Sequence, residues 1–421
     1  MTLVLFGLFF LFLLAGVPVA VTIGASTAVA LYVEDVPLML AAQRMFAGID
    51  SFALIAVPFF ILAGDLIAQG KVSEKLVALA DAALGFLKGG LSVVSVLAGM
   101  FFAAISGSGA ATTAAVAASL VPELKRKGYD EASAAALIAA SGTIGVVIPP
   151  SVPMIIYAVI AAQSVSDLFL SGFLPGVAMG LGLMVIAVRE AYRRNYPKGA
   201  PFSLATIWRT FKGAIWGMMT PVIILGGIFS GVFTPSEAAV VAVNYALVVS
   251  LFVYRDLGFR DIYRIMLRSV ITTGVIMFVI ATSAILSWAM ANWQIPGMIA
   301  DGVLSLSQNV YIVLLLIMLL ILLTGVFIET AAALIILTPV FLPLVNSLGI
   351  DLVHFGLIIV VGLAIGMVTP PVAINLYVAS SVTEQPLERI SRAVLPYIGA
   401  LLVVFALVVY VPVLLGWSGL R

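Results

Sequence analysis

Two runs in this chain place adjacent prolines inside an apolar stretch: Gly145-Val146-Val147-Ile148-Pro149-Pro150 and Gly366-Met367-Val368-Thr369-Pro370-Pro371. Proline has no N–H, and its ring excludes the carbonyl four residues earlier. The carbonyls of Gly145 and Val146, and of Gly366 and Met367, are therefore expected to lack helical donors. Ile148 and Thr369, each before a proline, are pushed out of the α region. An unpaired carbonyl in an apolar core costs several kcal/mol. Unwound carbonyls and half-helix ends satisfy that need with Na⁺ in many secondary transporters. A proline kink patched by a serine or threonine is the alternative. Two breaks in register, each paired with a tip of small residues, favour the ion.

The tips suggest a second chemistry. Ser106-Gly107-Ser108-Gly109 precedes Thr112 and Thr113, and Thr324-Gly325 leads to Ile328-Glu329-Thr330. Glycine permits close backbone approach and positive φ. Helices starting at such tips present N–H groups and a positive dipole end, which suits a carboxylate. Ser106, Ser108, Thr112, Thr113, Ser151, Thr330 and Asn375 are the candidate substrate contacts. The small residues also permit tight helix packing. Asp65 and Glu329 are acids within apolar stretches and so functional candidates by default. Asp65, six residues before Lys71, reads as interfacial, and Glu329 as a helix cap, so structural roles are expected for both. His354 stands alone and makes neither a metal site nor a relay.

The elements that hold these residues must lie in a membrane. Of 421 residues, 63% are hydrophobic and 9% charged, against roughly 25% charged in soluble domains. Apolar runs of about 18 residues recur along the chain, without the period-two alternation of a barrel strand. There is no cysteine and a single histidine, and the buried acids form no close pair. Hydrolytic chemistry in the membrane thus lacks its usual groups. A net charge of +1 leaves nucleic acid an improbable partner. Residues 3–32 lack a basic leader segment and read as a retained first span.

The prolines belong to a longer repeat. Pro122, Gly128, Asp130, Gly145, Pro149-Pro150 and Leu174-Pro175 return at one constant offset, without a gap, as Pro343, Gly349, Asp351, Gly366, Pro370-Pro371 and Leu395-Pro396. Spans are expected near 3–32, 50–70, 130–163, 168–188, 213–232, 236–254, 269–291, 351–382 and 393–416, the third and eighth broken at the prolines. Residues 89–122 and 310–345 read as re-entrant hairpins, since irregular backbone at membrane depth needs protein or a cavity around it. Residues 71–88 and 255–268 read as amphipathic helices in the membrane plane. Lysine and arginine collect at 71–88, 125–127, 189–212, 255–268 and 389–392, all on one side of this arrangement. The positive-inside rule makes that side cytoplasmic. Lys125-Arg126-Lys127 is matched by Asn346-Ser347-Leu348, and Glu34 by Arg255, so the unit is basic at opposite ends in its two copies. The expected fold is an all-α polytopic membrane protein of two inverted-topology repeats, 1–189 and 235–421, joined by a basic cytoplasmic loop and an extra span over 190–234. The N-terminus is expected in the cytoplasm and the C-terminus outside.

The Ser-Gly-Ser-Gly tip with its Ala/Thr-rich arm, Ile148-Pro149-Pro150-Ser151, and Gly366-Met367-Val368-Thr369-Pro370-Pro371-Val372 resemble the large membrane subunit of tripartite ATP-independent periplasmic (TRAP) transporters. The resemblance covers essentially the whole chain. It implies a sodium-driven, elevator-type importer in the inner membrane, braced by a small Q-type membrane subunit and fed an organic acid by a periplasmic substrate-binding protein. It also implies one Na⁺ site at Ala103, Ser106, Gly145, Ile148 and Pro150, and another at Gly325, Gly366, Thr369 and Val372. A self-sufficient symporter of the same architecture is the competing reading.

Overall fold

The computed structural model describes residues 2–416, so the last residues of the expected second repeat, 417–421, lie outside the described part. Among the described residues there are nineteen α-helices. Eight helical segments are long and apolar enough to cross a membrane.

The first repeat opens with α1 (Thr2–Leu14), α2 (Val19–Val33) and α3 (Leu38–Ile49), followed by a 3₁₀ turn leading into α4 (Ala56–Gln69). Residues 3–32 are therefore not one span. Gly16 adopts φ +78°, Pro18 cannot continue a helix, and α1 folds back onto α2. Next come α5 (Val72–Leu84), the hairpin arms α6 (Gly90–Ser106) and α7 (Gly109–Arg126), α8 (Glu131–Gly142), α9 (Val152–Ile160) and α10 (Val165–Arg193). Pro122 lies inside α7 without ending it, so the hairpin runs to Arg126 rather than 122.

The connector is shorter than the sequence suggests. α11 (Leu204–Phe229) begins early and takes Arg209 and Lys212 into its first turns. The second repeat then runs through α12 (Pro235–Val248), a π-helical turn over Val249–Tyr254, and α13 (Phe259–Asn292). α13 is one helix of 34 residues. The expected in-plane helix over 255–268 is instead its first part, because no glycine or proline stands at the boundary to stop it. There follow α14 (Ile295–Leu306), the second hairpin α15 (Val310–Phe327) and α16 (Thr330–Ser347), α17 (Leu352–Gly366), α18 (Ile374–Thr383) and α19 (Leu387–Leu414).

Shifted by the offset of the sequence repeat, α6 to α10 fall on α15 to α19 almost end for end. Packing obeys the same exchange. α2 lies on α13, and its counterpart α12 lies on α4; α9 meets α16, and α18 meets α7. Each half thus seats its broken helix against the other half's hairpin. α10 and α19 pack on each other near the dividing line, where the Tyr397 hydroxyl donates to Glu190 at 2.5 Å. The fold is an all-α polytopic membrane protein of two inverted repeats, each with a re-entrant hairpin and a broken helix.

Candidate functional site

The first tip is tied to the first break. α6 ends at Gly107, whose φ of +62° is left-handed and whose N–H donates to Ala103 O at 3.4 Å. Here glycine is required twice over, since a Cβ would also stand 2.7 Å from the Pro150 carbonyl oxygen. Ser108 then caps α7, its Oγ accepting from Ala111 N at 3.4 Å. Ser106 Oγ lies 2.8 Å from Thr112 Oγ1 and donates to Ser108 O at 3.3 Å. Against this trio sits Gly145, where a Cβ would fall 2.6 Å from Thr112 Oγ1 and 2.7 Å from Ser108 O. Two oxygens, Thr112 Oγ1 and Ser108 O, therefore crowd onto the face of the break, and Ser106 Oγ is hydrogen-bonded to both.

The carbonyls at the breaks differ from the proline argument in part. The Gly145 carbonyl has no hydrogen-bond donor among the described residues. The Val146 carbonyl does: Ser151 Oγ donates to it at 2.5 Å. Ser151 also caps α9 through Met154 N. Its hydroxyl is spent inside the break and fully buried. In the second copy the Gly366 carbonyl accepts from Thr369 N at 3.0 Å and the Met367 carbonyl from Asn375 N at 3.0 Å. An i→i+3 bond in the tightened last turn serves Gly366, and the chain returning after the prolines serves Met367. Neither carbonyl is unpaired, although each keeps a second lone pair. Thr369 Oγ1 donates back to Ile365 O at 2.8 Å. Gly325 and Gly366 meet backbone to backbone, with no room for a Cβ at Gly366. Val372 is exposed and Ile148 turns its side chain onto Gly176, so either would join an ion site only through its main chain.

Between the first tip and helices α4 and α13 lies a cavity of about 660 Å³. Ser106, Ser108 and Gly109 line it, with Asp65 and Gln69 from α4, Arg268 from α13, and Glu329 from the second tip. The remaining candidates sit behind its wall. Thr112 and Thr113 are fully buried, the former in the oxygen cluster and the latter donating to Gly109 O at 2.9 Å. Thr330 is buried without a partner for its hydroxyl. Asn375 donates from Nδ2 to Ala139 O at 3.2 Å, leaving Oδ1 unpartnered. It bridges α18 to α8 rather than facing the cavity. Glu329 caps α16, accepting from Ala331 N at 3.0 Å and Ala332 N at 3.2 Å.

Sequence reasoning missed Arg268 as a cavity residue. The available signal was its four-residue spacing from Arg264 and Arg260 together with the absence of any helix stop after it. Asp65 is not merely interfacial either: it accepts from Ser269 Oγ at 2.8 Å beside the cavity.

A family model described as the tripartite ATP-independent periplasmic transporter, DctM component, matches residues 6–414. The chain belongs to this DctM family. It is 42% identical over 412 residues to the isethionate TRAP transporter permease protein DctMQ of Oleidesulfovibrio alaskensis, covering 97% of this chain and 65% of that longer protein. It is 40% identical to the C4-dicarboxylate TRAP transporter large permease protein DctM of Pseudomonas aeruginosa, covering 90% of each. With the sialic acid TRAP transporter large permease protein SiaM of Vibrio cholerae it shares 38% identity, over 95% of this chain and 94% of that one. In structure it resembles the YdaH transporter of Alcanivorax borkumensis, with a TM-score of 0.63 over 91% of this chain and 90% of that one at 16% identity. That likeness concerns the fold alone. As a DctM-family protein the chain is a multi-span transport permease of the inner membrane.

Proposed function

We propose that this chain is the transporting subunit of a TRAP system that imports a small organic acid with Na⁺. The observation that carries the reading is the convergence of Thr112 Oγ1 and Ser108 O, both bonded to Ser106 Oγ, on Gly145, whose own carbonyl lacks a donor, one layer behind a cavity walled by the same tip. Oxygen-only surroundings suit a hard cation. A cation bound there adds positive charge beside the α7 N-terminus, which then receives a carboxylate more strongly. Ion and substrate occupancy are thereby coupled through one hairpin. The second site, at Gly325, Gly366, Thr369 and Val372, is backbone-built and holds a second Na⁺ in this reading.

Alternating access follows by moving the hairpins and broken helices as a body past α2, α4, α12 and α13. The seam is suited to sliding: Gly64 of α4 meets the Ser106 backbone with no side chain between them. In this reading α19, whose first turns carry Arg389 and Arg392, runs outward from Leu387, and α2, matched at the repeat offset to the inward-running segment that ends at Arg255, runs outward from Val19. Lys127→Cys and Ser347→Cys should accordingly react with impermeant thiol reagents from opposite sides, and reaction from the same side rules out the inverted arrangement. A small Q-type membrane subunit holds the outer flank of the fixed helices, and a periplasmic binding protein delivers substrate near the second hairpin.

Reconstitution tests the whole reading. Proteoliposomes containing this chain, the small subunit and the binding protein should take up organic acid only with a Na⁺ gradient. Full uptake in Na⁺-free buffer driven by protons alone overturns the ion assignment. Saturable low-concentration uptake by the lone chain, unchanged by the partners, points instead to a self-sufficient symporter.

A further inference from the structure

Three charged side chains line the cavity: Asp65, Arg268 and Glu329. Glu329 is committed to the start of α16 by two backbone N–H groups. Asp65 holds the Ser269 hydroxyl. Arg268 makes no ion pair among the described residues. Asp65 and Arg268 both stand on the helices that the transport reading keeps fixed. Gly64, the neighbour of Asp65, touches the Ser106 backbone, so this charged wall lies directly beside the first tip.

The repeat shows that the fold does not require these charges. At the repeat offset, Asp65 corresponds to Leu286 and Arg268 to Ala47. The two corresponding positions in the exchanged half, on α13 and on α3, are apolar. Ionisable groups inside a membrane protein are costly unless they serve a site. This pair occurs only toward the end of α4 and the start of α13, where Lys71, Arg260 and Arg264 mark the cytoplasmic side.

We propose that Arg268 is a specificity-determining residue that takes the substrate's carboxylate at the cytoplasmic mouth of the cavity. Asp65 opposes it, so that the anion is drawn off the tip without being retained. Because both residues sit on the fixed wall, they meet substrate only when the hairpin faces inward. The inference rests on the transport reading above, together with the basic residues Lys71, Arg260 and Arg264, which make this end of the cavity the cytoplasmic one.

The absence of native cysteine allows a test that needs no identified substrate. Ala114, on the cavity face of α7, is changed to cysteine, and inside-out vesicles are treated with anionic or cationic methanethiosulfonates of similar size. The anionic reagent should react faster. Arg268→Gln should lower the anionic-to-cationic rate ratio about tenfold, as loss of a focusing charge in a cleft predicts. Arg268→Lys should retain the ratio, and Asp65→Asn should raise it. Arg264→Gln, one turn earlier and outside the cavity lining, should leave it within roughly twofold, being screened by solvent. A ratio unchanged by Arg268→Gln in a cysteine that reacts from the cytoplasmic side overturns the role of Arg268 alone. Failure of that cysteine to react from the cytoplasmic side overturns the transport reading of the cavity instead.

Discussion

At the first hairpin tip, hydroxyl and carbonyl oxygens press against a glycine, and a neutral serine caps the following helix. At the second tip the same backbone positions carry different chemistry. Ser106, Ser108 and Thr112 are replaced by Phe327, Glu329 and Ala333, and the cap is a carboxylate already bound to two N–H groups. A substrate carboxylate approaching α16 would meet Glu329, whereas one approaching α7 meets unneutralised amides. The two hairpins share a path through the protein but not a task. In the proposed reading the first pairs an ion with an anion, and the second closes on an ion through backbone alone. Duplication supplied the scaffold twice, and the side chains at the two tips then diverged.

The comparison breaks most readily at its two glycines. Gly366→Ala drives a methyl group into the Gly325 backbone, which cannot rotate away. It should destabilise the protein by about 2 kcal/mol or more, as overpacking does. Gly145→Ala meets the Thr112 hydroxyl at 2.6 Å and the Ser108 backbone carbonyl at 2.7 Å, a milder overlap than the 2.3 Å at Gly366; its stability loss should be the smaller, while Na⁺ affinity falls about tenfold, roughly 1.4 kcal/mol. Melting curves across a Na⁺ titration separate the two. Equal loss of stability in both variants would remove the distinction between a hydroxyl-built and a backbone-built site.

The caps give the next largest effect. Glu329→Ala leaves two N–H groups without their acceptor and should cost about 1 kcal/mol of stability, with the substrate KM unchanged. Ser108→Ala loses a longer hydrogen bond of 3.4 Å and should cost about 0.5 kcal/mol, yet raise KM severalfold. If Glu329→Ala raised KM more than Ser108→Ala, the substrate would belong to the second tip.

The smallest expected effect lies where the copies differ in charge. Lys125 pairs with Glu131 at 3.0 Å with the lysine largely exposed, and the position matching Lys125 is the neutral Asn346. Glu131→Gln should change stability by less than about 0.5 kcal/mol, and less again at high salt. A larger, salt-independent loss would mean that the basic loop braces the hairpin instead of only marking its side.

The membrane class, the repeat and its offset, both hairpins and both proline breaks were legible in the order of residues, because each rests on a local rule. Long apolar runs demand burial in lipid, proline removes a donor from its own turn, and lysine and arginine mark one face. The fate of the freed carbonyls was not legible. Ser151 reaching Val146, and Thr369 and Asn375 supplying N–H groups at the second break, depend on how each chain bends after its prolines. The cavity was hidden for a related reason. Arg268 reads as interfacial along the chain and becomes a wall residue only because α13 continues unbroken beside α4 and places it opposite the first tip. Local chemistry determined which segments enter the membrane and where they must break. The tertiary structure decided how the first tip seats on the first break and which charges face the space between α4, α13 and the two tips, since those contacts join residues that no local rule connects.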